Sequence, residues 1–371
     1  MTHIAWRIGV EIELLAPLGK TRLDLAEAIC RHYRGSVQRY FHPQSEPSKV
    51  PGTPIFHSLT LGFEALDDQQ QRIAQCVDDL TLQADLNRET KPKPDWYRIV
   101  SDDERLLRLI EEQTDPALPL SQVLNPIAKL FGTSPDEGEG GMVRVNDRSG
   151  ASVAIAAPLP GERERPCELI TCPLESNQGQ RLDELLALAR QLKFLAPVEG
   201  ATHIHFDAKA MQSANAIANF VNLYSSYRHI LKQLIGTNPN CIRLGAWPTE
   251  LLDTVNATGF CALSWLEVQE QLKALKLTKY CDVNLINCIY GIADKNTIEV
   301  RILPVCLETT PIMAVASLFV ALFELALAPV TIEFRAVQNC SIESAKTFLQ
   351  MLPISDVQLS YWLNIAESVF D

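Results

Sequence analysis

Polar residues interrupt three apolar strand patterns at a spacing of two. The segments are Ile8-Gly9-Val10-Glu11-Ile12-Glu13-Leu14, Thr202-His203-Ile204-His205-Phe206-Asp207 and Thr297-Ile298-Glu299-Val300-Arg301-Ile302. Residues i and i+2 of a strand share one face. Glu11 therefore sides with Glu13, His203 with His205, and Glu299 with Arg301. Val10, Ile12, Ile204, Val300 and Ile302 fall on the opposite face, suited to packing against helices. A fourth apolar segment, Pro166 to Pro173, carries one acidic intruder, Glu168.

If these strands share a sheet, one face gathers carboxylates, imidazoles and a guanidinium. Crowded carboxylates repel, and one is protonated unless a cation intervenes. A hard divalent ion removes the repulsion. Mg²⁺ takes carboxylate oxygens and completes its shell with water and phosphate oxygens. An imidazole ligand suits Mn²⁺ better. Taken singly, each pair has a plainer reading: a solvated acidic face, two exposed histidines, a surface ion pair. Their joint occurrence favours metal and phosphate chemistry.

The elements that must position these residues follow from periodicity and breakers. Strands are expected over 4–14, Trp96–Val100, Met142–Ala157, Cys167–Cys172, Thr202–Asp207, Val283–Tyr290 and Thr297–Leu303. Helices are expected over Leu23–Tyr33, Leu66–Leu86, Glu104–Glu112, part of Ala117–Phe131, Leu182–Leu195, Ser213–Ile235, Trp265–Leu275 and 311–327. His42–Pro54, with four prolines, reads as a loop or insertion, and Gly132–Gly141 as an exposed mobile loop. No G-x-G-x-x-G or G-x-x-x-x-G-K-[ST] motif is present, which argues against Rossmann and P-loop folds. The pattern indicates an α+β fold, an antiparallel β-sheet with helices on one face.

Composition narrows the function classes. The 371 residues are 47% hydrophobic and 21% charged, enough for a sizeable core. Lys plus Arg number 33 against 45 Asp plus Glu, a net charge of −12, which argues against a nucleic-acid surface. Such a chain still binds phosphorylated ligands if a divalent ion or a few arginines supply local positive charge. The ten cysteines show no C-x-x-C spacing, so free thiols and a cytoplasmic location are expected. Pro311–Val330 carries one charge, Glu324. Its uninterrupted run, Ile312–Phe323, falls short of the ~20 apolar residues of a membrane span and reads as a core helix, with no membrane role.

The order of the motifs resembles that of the amidoligases, carboxylate–amine ligases related to glutamine synthetase and glutamate–cysteine ligase. The matching pieces are Gly9–Glu13, Glu168–Pro173, Thr202–Asp207, Lys279-Tyr280 followed by Asn284-Leu285, and Thr297–Arg301, with Trp96–Asp102 a further candidate. The resemblance implies a glutamine-synthetase-like catalytic fold, a single domain over 1–371 with insertions at about 42–95 and 114–165. It implies two or more Mg²⁺ ions (Mn²⁺ as the alternative) and ATP. Glu11, His203 and Glu299 would hold the ion at the γ-phosphate, and Glu13 and Glu168 the ion beside the substrate carboxylate. His205, Lys279 and Arg301 would meet ATP phosphates, with Arg301 and Glu299 the catalytic pair.

The chemistry implied is amide formation, peptide or isopeptide, through an acyl phosphate, from small carboxylate and amine substrates such as amino acids or a peptide. The absence of a Ser-His-Asp or Cys-His signature agrees with it. Oligomerisation is left open. So is the third ligand of the second ion, for which Glu164 and Asp102 compete. Cys172 replaces the Ser usual in the family, and Thr331–Arg335 repeats the Glu-x-Arg pattern. A phosphotransferase and a non-catalytic scaffold on the same fold are the alternatives. At this level Glu299→Gln is expected to abolish metal-dependent ATP binding with little loss of fold.

Overall fold

The structure is a computed structural model that describes residues 4–47, 55–101, 103–241, 243–337 and 340–370. The chain forms two compact units. The first comprises Met1–Glu11, Pro173–Leu186 and Gly200–Asp371, and the second Ile12–Cys172 and Ala187–Glu199. Strand β1 (Ile8–Leu15) begins in the first and continues into the second. Each unit combines antiparallel strands with helices, which makes the protein α+β as its sequence pattern indicates.

The second unit contains β2 (Val37–Pro47), β3 (Ile55–Leu66), β4 (Arg72–Val77), β5 (Tyr97–Val100), β6 (Asp136–Glu137), β7 (Val143–Asn146), β8 (Ser152–Pro158) and β9 (Pro166–Thr171). β2 and β3 pair antiparallel from Val37↔Ala65 to Pro47↔Ile55. β3 also pairs with β4 at Phe63↔Cys76 and with β5 at Leu59↔Ile99. β4 continues to β9, and β5 to β8, β7 and β6, all antiparallel. The segments 42–95 and 114–165 thus supply much of this unit's sheet.

Two expectations change here. His42–Pro47 belongs to β2, and the rest of the expected 42–54 loop up to residue 54 lies outside the described residues. Leu66–Leu86 is not a helix: β3 ends at Leu66, and β4 follows after a turn. The Asp67 carboxylate makes that turn by accepting from the Gln69 and Gln71 N–H groups at 2.9 and 2.8 Å. Such a side-chain cap competes with helix formation.

A buried ion network ties the helix Arg22–His32 to the second unit's strands. The Arg22 guanidinium, 0% exposed, donates to the carbonyls of Leu61, Arg163 and Pro166 and lies 4.6 Å from the Trp96 ring centroid. Asp78 accepts from Arg163 at 2.6 Å and faces Arg22 at 3.8 Å.

In the first unit, β10 (Ala201–Asp207), β11 (Val283–Asn284) and β12 (Thr297–Pro304) are ordered β11-β12-β10-β1. Val10, Ile204, Phe206, Ile298, Val300 and Ile302 are at most 1% exposed. The helices Ala214–Ile235 and Thr309–Leu327 cover their face. Phe206 meets Phe323 at 5.1 Å between ring centroids, and Phe323 meets Phe220 at 4.9 Å and Trp6 at 5.1 Å. Thr309–Leu327 is long and apolar enough to cross a membrane, yet 67% of its apolar window is buried within the protein, as in a core helix.

The expected strand Val283–Tyr290 is two elements. Asn284 Oδ1 accepts from the Ile286 N–H at 2.9 Å, and a short helix, Ile286–Tyr290, starts there. Ile342–Met351 and Asp356–Phe370 are helices that the sequence reading did not include. Gly132–Gly141 is exposed and contains β6. The ten cysteines are all free.

Candidate active site

Register builds the site. β10 and β12 run antiparallel with His205 opposite Glu299, and β11 places Asn284 on the other side of Glu299. Directly opposed residues bring their side chains together on one face. The β10–β12 pairing shifts by one residue between Thr202↔Leu303 and Ile204↔Val300, so Arg301 and Ile302 both stand opposite His203. Such a bulge re-aims side chains. β1 is the neighbour of β10 and brings Glu11. Gly9 lies beside His205, and a Cβ there would sit at ordinary contact distance, 3.7 Å, from His205 Cβ.

The resulting cluster lies within the first unit. His205 Nε2 is 3.1 Å from Glu11 Oε1, and His203 Nδ1 is 3.5 Å from both Glu11 Oε2 and Glu299 Oε1. Glu299 accepts from Arg301 Nη1 and, at 2.8 Å, from Asn284 Nδ2. His205 Nδ1 contacts Thr297 Oγ1 at 3.2 Å, which orients the ring. Glu299 and Arg301 are each 5% exposed and His203 2%, whereas the Glu11 side chain keeps 24% of its surface open to solvent.

Opposed charges set the protonation states. Burial alone would raise the Glu11 carboxyl, but His205 and His203 hold it well below the usual range. Burial would likewise raise Glu299, yet Arg301 and the two histidines bring it down to about 2. Burial works against charge on His205, and the Glu11 carboxylate outweighs it, raising the imidazole to about 9. His203 goes the other way, lowered by burial and by Arg301. One imidazole is thus held as a cation and its neighbour as a neutral ring.

The donor set fits a divalent ion. Glu11, His205 and Glu299 each offer a ligand atom, all within 4.8 Å of one another. Around Mg²⁺, adjacent donors stand about 3 Å apart and opposite ones about 4 Å, so a small closure suffices. Two carboxylates and an imidazole suit Mg²⁺ or Mn²⁺.

The spacing-two motifs therefore bring together Glu11, His203, His205, Glu299 and Arg301. His205, expected beside phosphate, also stands among the candidate ligands. Glu13 and Glu168 belong to the second unit: Glu13 is buried in β1, and Glu168 is half-buried on β9 opposite Val77. Glu164 is half-buried there, and its carbonyl accepts from the Arg22 N–H. Asp102 lies outside the described residues. Lys279 is exposed, its ammonium 5.6 Å from the Tyr280 ring centroid. Glu333 and Arg335 form an exposed pair at 3.7 Å, as expected of a surface repeat of the motif.

Asn284 and Thr297 lie in the matched motifs, Asn284 read as a structural or nucleotide-pocket residue, but their contacts with Glu299 and His205 were not foreseen. Their signal was register, since each stands beside a motif residue only once the strands pair. In the second unit, Tyr40 packs flat on Gly62, where a Cβ would lie 2.8 Å from the ring. Its hydroxyl is buried without a hydrogen-bond partner among the described residues. Burial, then the charges of Glu64 and Glu168 among others, raises its pKa.

Residues 5–323 match the family model described as "Putative amidoligase enzyme". The chain belongs to that family, nearly its whole length being matched. Neither the curated proteins nor the solved structures gave a significant match. Membership supports a ligase that forms amide bonds from small carboxylate and amine substrates.

Proposed function

We propose that the protein is an ATP-dependent, Mg²⁺-requiring carboxylate–amine ligase of the cytoplasm, on a glutamine-synthetase-like fold. The carrying observation is the convergence of Glu11, His205 and Glu299 within 4.8 Å, with Arg301 bonded to Glu299, in a chain of the amidoligase family. Ten free thiols agree with a reducing compartment.

Glu11, His205 and Glu299 would hold the ion, with His203 in reserve as a fourth donor. When bound, a divalent ion offsets phosphate charge and fixes the transferring group. A ligand imidazole must be neutral, so His205, which the Glu11 carboxylate keeps protonated, would have to give up that proton to hold the ion. His203 is already neutral at physiological pH, since its pKa is pushed down. Asn284 fixes the Glu299 carboxylate. Arg301, permanently charged and forked, neutralises Glu299 in this state and is suited to oxygens of the transferring phosphoryl group. Glu13 and Glu168 are the candidate ligands for a second ion, and Lys279 is a further candidate for phosphate contact.

In the reaction, an oxygen of the acid substrate attacks the γ-phosphorus of ATP. The bond to the bridging oxygen breaks, giving an acyl phosphate and ADP. The amine then attacks the acyl carbon, phosphate leaves, and the amine gives up a proton. A test uses amino acids ¹⁸O-labelled in the carboxylate, with ATP, Mg²⁺ and a panel of amines. The proposal expects amide, ADP and phosphate carrying one ¹⁸O. Amide formed with unlabelled phosphate would contradict the acyl-phosphate route.

A further inference from the structure

The second unit contains a cavity of about 370 Å³ lined by three arginines, Arg88, Arg98 and Arg163, and by no acidic residue. That is unusual in a chain of net charge −12. Its remaining walls are largely apolar, with Leu86, Leu159 and Pro160 among them.

The site is built rather than incidental. Arg163 is 5% exposed and is held by the Leu82 and Asp79 carbonyls at 2.5 and 2.8 Å and by Asp78 at 2.6 Å. Its Nε–H has no hydrogen-bond partner among the described residues. Asp78 also faces Arg22 at 3.8 Å, so two buried guanidinium groups share one carboxylate. Of the nearby acids, Glu162 pairs with Arg165 and accepts from the Asn87 N–H, and Asp79 accepts from the Thr81 hydroxyl. The lining itself carries three cations and no acid, although Glu199 accepts from the Gln83 N–H just behind it.

Its wall is backbone packed on backbone. Gly161, at φ +42°, would place a Cβ 2.5 Å from Arg88 Cα, and its N–H donates to the Thr90 carbonyl at 3.2 Å. The Leu159 N–H donates to the Trp96 carbonyl at 2.9 Å, beside the start of β5, the strand of Arg98. The backbone at Arg88 and beside Arg98 is thereby set on two sides of the same opening.

We propose that this cavity binds a small carboxylate with an apolar body, such as an apolar amino acid or the C-terminal residue of a peptide. The guanidinium forks of Arg88 and Arg98 suit a planar carboxylate in two parallel hydrogen bonds, and Arg163, whose Nη groups are taken, adds its charge and its Nε–H. Apolar walls reward a hydrocarbon side chain and offer nothing to bare phosphate. The volume is at the small end of ligand pockets, in keeping with one or two residues. The site requires no metal and does not depend on the reading of the Glu11–His205–Glu299 cluster.

The test is calorimetric titration of leucine, Leu-Leu, Leu-Leu amide and inorganic phosphate into the full chain in EDTA. The variants are Arg98→Gln and the exposed Arg88→Gln, each checked by circular dichroism for an unchanged fold. Leucine or Leu-Leu should bind, with affinity falling about tenfold or more in the amide and in Arg98→Gln. Arg88→Gln, the safer variant for folding, should also weaken Leu-Leu. Equal binding of the amide, phosphate binding as tight as the dipeptide, unchanged affinity in Arg88→Gln, or no binding up to about 10 mM would each overturn the proposal.

Discussion

Glu299→Gln separates two roles that the geometry gives one carboxylate. Glu299 is a candidate metal ligand and also the counter-ion of Arg301, with both residues 5% exposed. Glutamine keeps an oxygen for Asn284 Nδ2 but removes the carboxylate charge that the buried Arg301 guanidinium faces. Stranding one partner of a buried pair costs about 3–5 kcal/mol. In a unit of roughly 200 residues that is a fall in melting temperature of about 6–20 °C. This replaces the sequence-level expectation of little loss of fold.

The sign with pH follows from the depressed carboxyl. Its folded pKa of about 2 lies below the ordinary 4.5, so its stabilisation is complete above 4.5 and is lost as pH falls toward 2. The gap between wild type and variant should be widest near neutrality and shrink in acid. Thermal melts in EDTA at pH 7.5 and at acid pH give both numbers. Adding Arg301→Gln to Glu299→Gln should recover most of the loss. A single variant that melts within about 2 °C of wild type, or a double variant no better than the single, would refute the stranded-charge argument.

Further outcomes follow from the same contacts. His205 is raised to about 9, so its pairing with Glu11 stabilises the metal-free protein fully below about 6.5 and is lost as pH rises through 9. Melting temperature in EDTA should decline over that window, and His205→Asn should flatten the decline. Asp78→Asn leaves Arg22 and Arg163 without their shared carboxylate and should cost about 3–5 kcal/mol by urea unfolding. Phe323→Ala empties the junction of Trp6, Phe206 and Phe220 and should cost about 3–5 kcal/mol by the same measurement.

The face carrying the chemistry was legible because strand alternation is strict. Once Ile204, Val300 and Ile302 are assigned to the core, His203, His205, Glu299 and Arg301 have one side left. The apolar helix Thr309–Leu327 was legible for its uniform hydrophobicity. Which histidine stands with which carboxylate was not legible. It depends on the one-residue shift between β10 and β12, which local composition does not encode. The misread helix at 66–86 has a local cause: β4 is six residues long, too short for its alternation to outweigh the helix-compatible residues around it. The turn signal at Asp67 was present but lay within a polar run, Asp67–Gln71, that also suits an exposed helix face. Asn284 looked like a strand residue among Val283 and Leu285, but its side chain caps the next helix and holds Glu299. The cationic cavity draws Arg88, Arg98 and Arg163 from separate segments, and no spacing rule links them.

The most direct test of the central claim is calorimetric titration of ATP into the folded protein, with Mg²⁺ and then with EDTA, beside Glu11→Gln. The account predicts binding with Mg²⁺, its loss in EDTA, and its loss in the variant, repeated with the acid substrate present where ATP alone gives no heat. ATP binding that persists in EDTA, or is unchanged in Glu11→Gln, would contradict a metal–nucleotide site at the Glu11–His205–Glu299 cluster.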